Sequence, residues 1–374
     1  MTVAIDFVGT NLESGTRTYN INFCKYLSKK KVKKKIYIFI TKNYFKELKT
    51  KNPNIFYIIK SNYLENPILR LLWMQLILPF ELNNLKVEKF FAPMNICPLI
   101  LKFTNINLIL GLHSNLPWTY FEYMPGNFIK KFLTKYFMRK SVEISNKLIV
   151  CSYYAKKEIK KLLNIKSKKI YPIYLGLEKK LFDYSYNKNY IKNFNYNNYI
   201  LSVISCSRYH NIINLLRGFK SYKSRNKSKI KFVIILQILD KTYYSEIKNF
   251  IKNNFSKKEV LILHNIKYKY LANLYRYASL YLFTSYSEVF GLTSLEAMSQ
   301  KCPVLISKKS ALPEINLNSA LYFDPDKIDE ISFLISNILK KNNLRKKLIK
   351  KGFNHSQKFN WDITLDKTRK ILNI

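Results

Sequence analysis

Residues 284–298 restrict what this chain can fold into more than any other stretch. A short apolar run at 278–283 precedes them and has the length and composition of a strand. Thr293 and Glu296 then have the S/T-x-x-E spacing of a capping box, which predicts a helix over 293–300. A strand, a tight loop and a helix in succession turn the positive end of the helix dipole toward the loop, which favours a bound phosphate there.

Two carboxylates accompany this loop, Glu288 within it and Glu296 in the first turn of the helix. A carboxylate repels phosphate but accepts hydrogen bonds from hydroxyl groups. A ligand with both phosphate and many hydroxyls, such as a nucleotide sugar, accounts for the combination. The residues alone leave two simpler roles open, because Glu296 would also complete the capping box and Glu288 would also be tolerated as a solvated loop carboxylate.

The size and composition of the chain favour two globular domains. A chain of 374 residues is long for a single domain, and a hydrophobic content of 48% excludes general disorder. The net charge of +42 has two explanations, a composition bias toward lysine or a surface that binds polyanions. No nucleic-acid partner is expected, because the basic residues are spread throughout and form no recognisable binding module.

Five scattered cysteines, without a C-x-x-C pair, argue against a zinc site or a disulfide framework and fit a reducing compartment. A strand-like run at 3–8 without a basic segment before it predicts no signal peptide. The longest apolar windows, 67–80 and 99–112, are shorter than the ~20 residues that cross a bilayer. We therefore expect a cytoplasmic protein without a membrane span.

Residues 127–140 predict a basic amphipathic helix. Its two faces are apolar (Phe128, Ile129, Phe132, Leu133, Tyr136, Phe137) and basic (Lys130, Lys131, Lys135, Arg139). Such a helix can lie on an anionic membrane surface, which would make the protein peripheral at the inner face of the cytoplasmic membrane. The alternative is that the apolar face packs into the core and the lysines are solvated.

Apolar runs separated by helical patterns recur along the whole chain and predict parallel sheets. The first run is followed by a glycine-bearing loop, 9–15, and a helix, which is how a Rossmann-like unit opens. The strand at 107–112 ends at His113, and ligands of open α/β sheets bind outside the carboxyl ends of strands. A polar run rich in Asn and Tyr, 184–198, is the expected connection between domains.

The segment Ser-Glu-Val-Phe-Gly-Leu-Thr-Ser-Leu-Glu-Ala-Met at 287–298, followed by Cys-Pro-Val and Leu-Pro-Glu, resembles the donor-site signature of glycosyltransferase family 4. Members of this family are retaining enzymes with the GT-B fold. The resemblance implies an α/β protein with two Rossmann-like parallel-sheet domains that face an interdomain cleft. It implies an acceptor-side domain over 1–178, a donor-binding domain over 179–354, and a C-terminal helix within 355–374 that crosses back to the first domain.

The resemblance also assigns roles to residues of the signature. Glu288 would contact the hydroxyls of the donor sugar, and the backbone N–H groups around Phe290, Gly291 and Leu292 would hold sugar and phosphate. Glu296 would bind the ribose hydroxyls.

Other implied site residues lie outside the signature. Gly15 would let the backbone approach the donor, and His113 would face donor and acceptor, although Ser114 follows it where the family has aspartate. The family holds the donor diphosphate with a lysine and a nearby arginine. Here His210 stands at the lysine position and Arg208 is the nearest fixed cation. The expected catalytic set is therefore His113, Glu288 and Arg208.

The implied reaction moves a hexose from a nucleoside diphosphate sugar to a hydroxyl of a glycan or lipid-linked acceptor, with the anomeric configuration retained. It needs no cofactor, and it needs no metal because N–H groups, a helix end and Arg208 would stabilise the leaving diphosphate. Synthesis of cell-envelope polysaccharide or lipopolysaccharide is the expected setting. The alternative is a nucleotide-sugar-binding protein that does not catalyse transfer, because its phosphate site has lost the lysine.

Overall fold

A computed structural model describes residues 2–9, 15–49, 52–166, 169–178, 198–266 and 268–374. The loop 10–14 and nearly all of the expected connection at 184–198 lie outside these residues. The strands are β1 (Thr2–Asp6), β2 (Lys35–Thr41), β3 (Ile55–Lys60), β4 (Lys89–Ala92), β5 (Asn107–Leu112), β6 (Lys147–Val150), β7 (Ile170–Pro172), β8 (Tyr199–Cys206), β9 (Lys231–Ile238), β10 (Val260–Leu263), β11 (Leu280–Phe283), β12 (Val304–Ser307) and β13 (Leu321–Phe323).

The helices alternate with the strands over most of the chain. They are α1 (Gly15–Lys29), α2 (Lys42–Leu48), α3 (Pro67–Leu72), α4 (Leu78–Asn84), α5 (Leu116–Thr119), α6 (Phe128–Ile144), α7 (Tyr153–Leu163), α8 (Ile212–Asn226), α9 (Lys241–Asn254), α10 (Tyr268–Tyr277), α11 (Leu292–Ser299), α12 (Leu312–Asn316), α13 (Ile328–Lys340), α14 (Asn342–Ser356) and α15 (Trp361–Leu372). A π-helical turn, Trp73–Ile77, joins α3 to α4.

The chain divides into two compact units. The first contains Met1–Asn115, Phe132–Gly176 and Trp361–Ile374, and the second contains Leu116–Lys131 and Leu177–Asn360. Domain boundaries at 178/179 and 354/355 remain predictions. In the structure, a short segment between β5 and the body of α6 groups with the second unit.

Each unit is built on one parallel sheet. Among the described residues, the strand order is β3-β2-β1-β4-β5-β6-β7 in the first sheet and β10-β9-β8-β11-β12-β13 in the second. Central strands such as β1, β8 and β11 are almost entirely buried, which explains why they are near-continuous apolar runs. The α/β architecture with two parallel sheets confirms the fold predicted from the sequence.

Both sheets reverse their strand order at one point. The chain moves outward from β1 to β3 and then returns to β4 on the other side of β1, and the second sheet does the same between β8 and β11. At such a switch point the two neighbouring loops leave the sheet in opposite directions and open a crevice for a ligand. The switch points therefore lie after β1 and β4 in the first unit and after β8 and β11 in the second.

The C-terminal helix belongs to the first unit, as predicted. The ring of Trp361 meets the ring of Tyr19 on α1 edge-on at 5.9 Å, and the Tyr19 hydroxyl donates a hydrogen bond to Thr368 at 3.3 Å. Trp361, Leu365 and Leu372 are buried in the same core cluster as Val3 and Phe23. Side-chain burial thus fixes α15 against the N-terminal strand–helix unit. No helix of the described ranges is both long and apolar enough to span a bilayer.

Candidate donor site and the residues at the sheet switch points

The switch point of the second sheet brings together the two segments that the sequence analysis singled out. The loop after β8 carries Arg208 to Asn211, and the loop after β11 carries Thr284 to Gly291. The Thr284 hydroxyl donates to the backbone oxygen of His210 at 2.9 Å, and the Tyr286 N–H donates to the backbone oxygen of Tyr209 at 2.8 Å. These bonds hold the two loops at a fixed spacing.

Glu288 lies in a buried part of this crevice. Its N–H donates to the Ser310 hydroxyl at 2.8 Å, and its carbonyl oxygen accepts from the Ala311 N–H at 3.1 Å. The backbone is thus anchored to the loop after β12, while the side chain keeps 20% of its surface exposed. Burial raises the pKa of Glu288 to about 7, against the smaller opposing effect of a hydrogen bond with Ser285. Near neutral pH this carboxyl therefore carries a proton part of the time.

His210 is a neutral, buried side chain. Its Nε2 lies 2.7 Å from the Ser205 hydroxyl, and its ring packs against Tyr209 at 4.0 Å and Phe283 at 5.7 Å. Burial lowers the pKa of His210 to about 3. Its Nδ1 is 3.6 Å from Glu288 Oε1, so the pair faces each other without forming an ion pair at neutral pH. The histidine at the family's lysine position therefore brings no fixed positive charge.

Arg208 keeps its charge but is committed to other partners. Its guanidinium forms a two-armed pair with Glu246 on α9, with Nη1 3.1 Å from Oε2. Asp240 lies 4.0 Å from Nε, and the ring of Tyr243 lies under the guanidinium at 5.1 Å. The carboxylates of Glu246 and Asp240 therefore already balance the positive charge of Arg208, which was expected to hold the diphosphate. The diphosphate roles of Arg208 and His210 remain predictions, with this arrangement against them.

The helix after the loop begins one residue earlier than predicted, and the predicted capping box is wrong. The residue before the first helical position is Gly291, with φ of +85°, and no side chain caps the helix. Thr293 instead accepts a hydrogen bond from the Tyr281 hydroxyl at 2.8 Å, and Glu296 accepts one from the Tyr275 hydroxyl at 3.0 Å. Two buried tyrosines compete successfully for the side chains that the local pattern assigned to each other.

Gly291 is required where it stands. Its φ lies in the left-handed region, and a Cβ there would come 2.5 Å from Leu312 Cδ2. The neighbouring Phe290 is buried against Phe359, with ring centroids 5.9 Å apart. Leu292, the first residue of α11, follows directly. N–H groups in a helix's first turn have no acceptor within the helix, so this end is suited to an anion.

Glu296 is 4% exposed and is oriented by α10. The hydrogen bond from Tyr275 fixes one carboxylate oxygen, and Tyr275 is itself completely buried. A buried carboxylate held by a hydroxyl is preorganised to accept hydrogen bonds from a ligand. Tyr275 is a residue that the sequence analysis missed, because nothing in the local pattern connects it with a glutamate 21 positions later.

Two lysines beside the same crevice were also missed. Lys308 and Lys309 follow β12 and precede Ser310, whose hydroxyl bonds the backbone of Glu288. Both side chains point toward one carboxylate, Asp324, at 3.2 and 3.8 Å, and both are more than a third exposed. Two cations share one anion here, which leaves one positive charge in excess. Only the Lys-Lys dipeptide after an apolar run hinted at this in the sequence.

The first unit carries Gly15 and His113. Gly15 is the first residue of α1, after the loop outside the described residues. His113 lies at the carboxyl end of β5, where its N–H donates to Asn95 Oδ1 at 2.6 Å and its Nδ1 lies 3.2 Å from the Cys151 sulfur. The Tyr19 ring is 5.5 Å away. Burial lowers the pKa of His113 to about 4, so the imidazole is neutral at pH 7.

A buried ion pair at the switch point of the first sheet was not foreseen. Arg70 Nη2 lies 3.4 Å from Asp6 Oδ2 at the carboxyl end of β1, and Asp6 also accepts a hydrogen bond from the Val8 N–H. Burial raises the pKa of Asp6, against the lowering effect of the Arg70 charge. Gly9, with φ of +74°, lets the chain turn directly beneath the Arg70 side chain.

Comparison with known proteins agrees with this geometry. Residues 187–355, which include the whole crevice of the second unit, match the family described as glycosyl transferases group 1. The match covers somewhat less than half of the chain, and the two parallel-sheet units have the GT-B fold.

Named relatives and solved structures can be compared individually. The O-antigen chain mannosyltransferase RfbU of Salmonella typhimurium is 26% identical over 249 residues, 64% of this chain and 67% of that protein. The O-antigen chain mannosyltransferase B of Escherichia coli is 35% identical over 92 residues, 25% of this chain and 24% of that protein. The structure of Anabaena Alr3699/HepE in complex with UDP and glucose aligns with a TM-score of 0.78, at 13% identity, over 100% of this chain and 99% of that one. At this identity the structural likeness shows the fold alone.

Proposed function

We propose that this protein transfers a hexose from a nucleoside diphosphate sugar to a hydroxyl of a glycan or lipid-linked acceptor, in the synthesis of a cell-envelope polysaccharide such as O-antigen. We propose further that transfer retains the anomeric configuration and needs no metal or cofactor. Mannose is the first sugar to test, because two relatives are named mannosyltransferases.

The observation that carries this proposal is the position of Glu288 and Glu296. Both lie at the switch point of the second sheet, one before and one after the start of α11. The backbone N–H of Glu288 donates to Ser310, and the carboxylate of Glu296 accepts from Tyr275. The N-terminus of α11 favours a bound phosphate, and the two carboxyl groups on either side of it can form hydrogen bonds with hydroxyls. A nucleotide sugar has both kinds of group. We propose that Glu288 contacts the sugar hydroxyls and Glu296 the ribose hydroxyls, roles that the resemblance implies and that this arrangement supports.

The leaving diphosphate gains negative charge as the glycosidic bond breaks, and groups that stabilise this charge accelerate the reaction. The N–H groups at the start of α11, around Phe290, Gly291 and Leu292, supply part of this stabilisation. Lys308 and Lys309 supply the cationic part, in place of the committed Arg208 and the neutral His210. The two lysines share the single carboxylate of Asp324, whereas Arg208 faces both Glu246 and Asp240, so the lysine pair keeps one positive charge in excess for a phosphate.

Glu288 acts as a hydrogen-bonding group for the donor sugar. A carboxyl with a pKa of about 7 both donates and accepts hydrogen bonds near neutral pH. In the first unit, the neutral His113 offers a ring nitrogen to the acceptor side of the reaction.

The membrane part of the proposal rests on α6. Phe128, Ile129, Phe132, Leu133 and Tyr136 are all exposed, so this face of the helix is not core. Together with the lysines on the same helix, an exposed apolar face favours contact with an anionic membrane surface. We propose that the protein acts there, at the inner face of the cytoplasmic membrane.

A second candidate function is favoured by the state of Arg208 and His210. Because the first is paired with Glu246 and the second is neutral, the site could bind a nucleotide sugar without catalysing its transfer. If the replacement of the family's lysine by His210 has abolished activity, His210→Lys should restore the missing positive charge and the transfer reaction.

Transfer assays separate the two candidates. The purified protein is incubated with labelled nucleoside diphosphate hexoses and a lipid extract of a bacterial envelope, with and without EDTA, and labelled lipid and free nucleotide are measured. The transferase predicts product with one donor, equal rates with EDTA, and a retained anomer by NMR. Donor binding without any turnover, with turnover gained in His210→Lys, would instead support the non-catalytic candidate.

A further inference from the structure

The segment from α3 into α4 exposes a stripe of apolar side chains. Ile68, Leu72, Leu76 and Phe80 recur at four-residue spacing, and each is between 51 and 71% exposed. This spacing places them along one side of the helical segment, over roughly 18 Å at 1.5 Å per residue.

The opposite side of the same segment is also apolar and is fully buried. Met74, Leu78 and Leu82 have no exposed surface and face the core of the first unit. A helical segment with apolar side chains on two opposite sides normally has apolar partners on both sides. The outward stripe is therefore left exposed by the part of the chain that the structure describes.

A neighbouring segment extends the stripe. Gln75 donates to the Cys97 carbonyl oxygen at 3.0 Å and accepts from the Leu99 N–H at 2.9 Å, so the π-helical turn lies beside the short helical turn Leu99–Phe103. Within that turn, Ile100 is 51% and Phe103 is 81% exposed. We call the six side chains of these two segments the apolar face: Ile68, Leu72, Leu76, Phe80, Ile100 and Phe103.

Helix α6 is attached to the same connection between β4 and β5. The Cys97 N–H donates to the Ser141 hydroxyl at 3.0 Å, which places α6 on the other side of the same connection. Tyr136 is five residues from Ser141, about 7.5 Å along the helix, and is exposed together with Phe132 and Leu133.

Charge around the apolar face is positive. Lys102 extends over the Phe103 ring at 5.6 Å, and Lys135 lies on α6. The acidic residues on these elements are already paired, Glu81 with Lys60 and Glu143 with Arg139 and Lys140.

We propose that the apolar face docks on an anionic lipid bilayer, together with α6. Its apolar side chains would enter the boundary between headgroups and acyl chains, and the surrounding cations would meet lipid phosphates. A second copy of this chain is a poorer occupant, since it would bring another net charge of +42 to the same surface. The bilayer supplies both the apolar environment and the opposite charge.

This inference extends the membrane part of the proposed function from one helix to a surface of three segments. It explains why both apolar windows, 67–80 and 99–112, place side chains such as Leu76 and Phe103 at the surface, although neither window is long enough to span a bilayer. It also implies that the acceptor is met at the membrane surface by the first unit.

Vesicle sedimentation tests the inference without any nucleotide sugar, so its failure is distinct from failure of the transferase proposal. Leu76→Ser combined with Phe103→Ser removes the centre of the apolar face. The matched control is Phe333→Ser combined with Ile363→Ser, two side chains that are also more than half exposed but lie on α13 and α15. Circular dichroism and melting temperature establish that every variant is folded.

We expect the wild type to bind vesicles that contain phosphatidylglycerol and to bind pure phosphatidylcholine weakly. The double variant of the apolar face should bind at least tenfold more weakly, and the control should stay within twofold of the wild type. Equal binding by wild type and apolar-face variant would overturn the inference. So would equal binding to neutral and anionic vesicles, or a wild-type dimer in solution that the apolar-face variant abolishes.

Discussion

Glu288→Gln tests whether the carboxyl in the donor crevice carries a proton near neutral pH. Burial raises the pKa of Glu288 from its ordinary value of 4.5 to about 7. The folded state therefore binds this proton more tightly than the unfolded state. The resulting stabilisation is complete below pH 4.5 and is lost as the pH rises through 7. For a pKa of about 7, the loss between pH 6 and pH 8 is about 1.4 kcal/mol.

His210 contributes with the opposite sign. Burial lowers its pKa from 6.5 to about 3, so its stabilisation is complete above pH 6.5 and is lost as the pH falls through 3. Comparing the wild type with Glu288→Gln at each pH removes this contribution, because both proteins retain the histidine.

The assay is urea unfolding of the wild type, Glu288→Gln and the exposed control Glu122→Gln at pH 6 and pH 8. The free energy of unfolding of the wild type relative to Glu288→Gln should fall by about 1.4 kcal/mol between these pH values. The difference between the wild type and Glu122→Gln should stay constant. If the difference in free energy of unfolding between the wild type and Glu288→Gln is the same at pH 6 and pH 8, the conclusion that Glu288 carries a proton near neutral pH is refuted.

Other substitutions test the remaining parts of the site. Tyr275→Phe removes the hydrogen bond that orients Glu296 and should raise the nucleotide Kd about tenfold, measured by calorimetry. An unchanged Kd would limit Tyr275 to a role in stability. Lys308→Ala combined with Lys309→Ala should weaken binding of a nucleoside diphosphate about tenfold but leave the nucleoside unaffected, whereas equal loss for both ligands would contradict a phosphate contact. Gly291→Ala should cost roughly 1–3 kcal/mol of stability because of its positive φ and the contact with Leu312, and an unchanged melting temperature would contradict that constraint.

The fold could be predicted because parallel strands that are buried on both faces have a strong sequence pattern. β9 contains Phe-Val-Ile-Ile-Leu and β11 is Leu-Tyr-Leu-Phe, and both runs were assigned from composition and length alone. The order of strands is not visible in such runs and comes from the structure alone. The resemblance carried by 287–298 implied two Rossmann-like parallel sheets, and the structure has two parallel sheets.

The electrostatic state of the site could not be predicted, because distant residues determine it. Glu246, which pairs with Arg208, lies 38 positions away on another helix. The burial that keeps His210 neutral comes from the packing of Tyr209 and Phe283 around it. The capping box failed for the same reason, since tertiary hydrogen bonds replaced the local ones.

The apolar window 67–80 illustrates a different limit. Its composition is equally compatible with a helix that is packed in the core. The sequence shows apolar side chains on more than one side of the helix, but it does not show which side is buried and which is exposed. Only the structure shows that Met74 and Leu78 are buried while Leu72 and Leu76 are exposed. Surface chemistry of this kind depends on what neighbouring elements leave uncovered.

The most direct test of the donor site is thermal denaturation with UDP, GDP, ADP and their sugars. A ligand that binds only the folded protein raises the melting temperature by mass action, by a few degrees at saturating concentration. We predict a selective shift with one nucleotide series that disappears in Glu296→Ala but persists in Glu122→Gln. The absence of a shift with every nucleotide and nucleotide sugar would contradict the assignment of 287–298 as a donor site, and with it the proposed transferase.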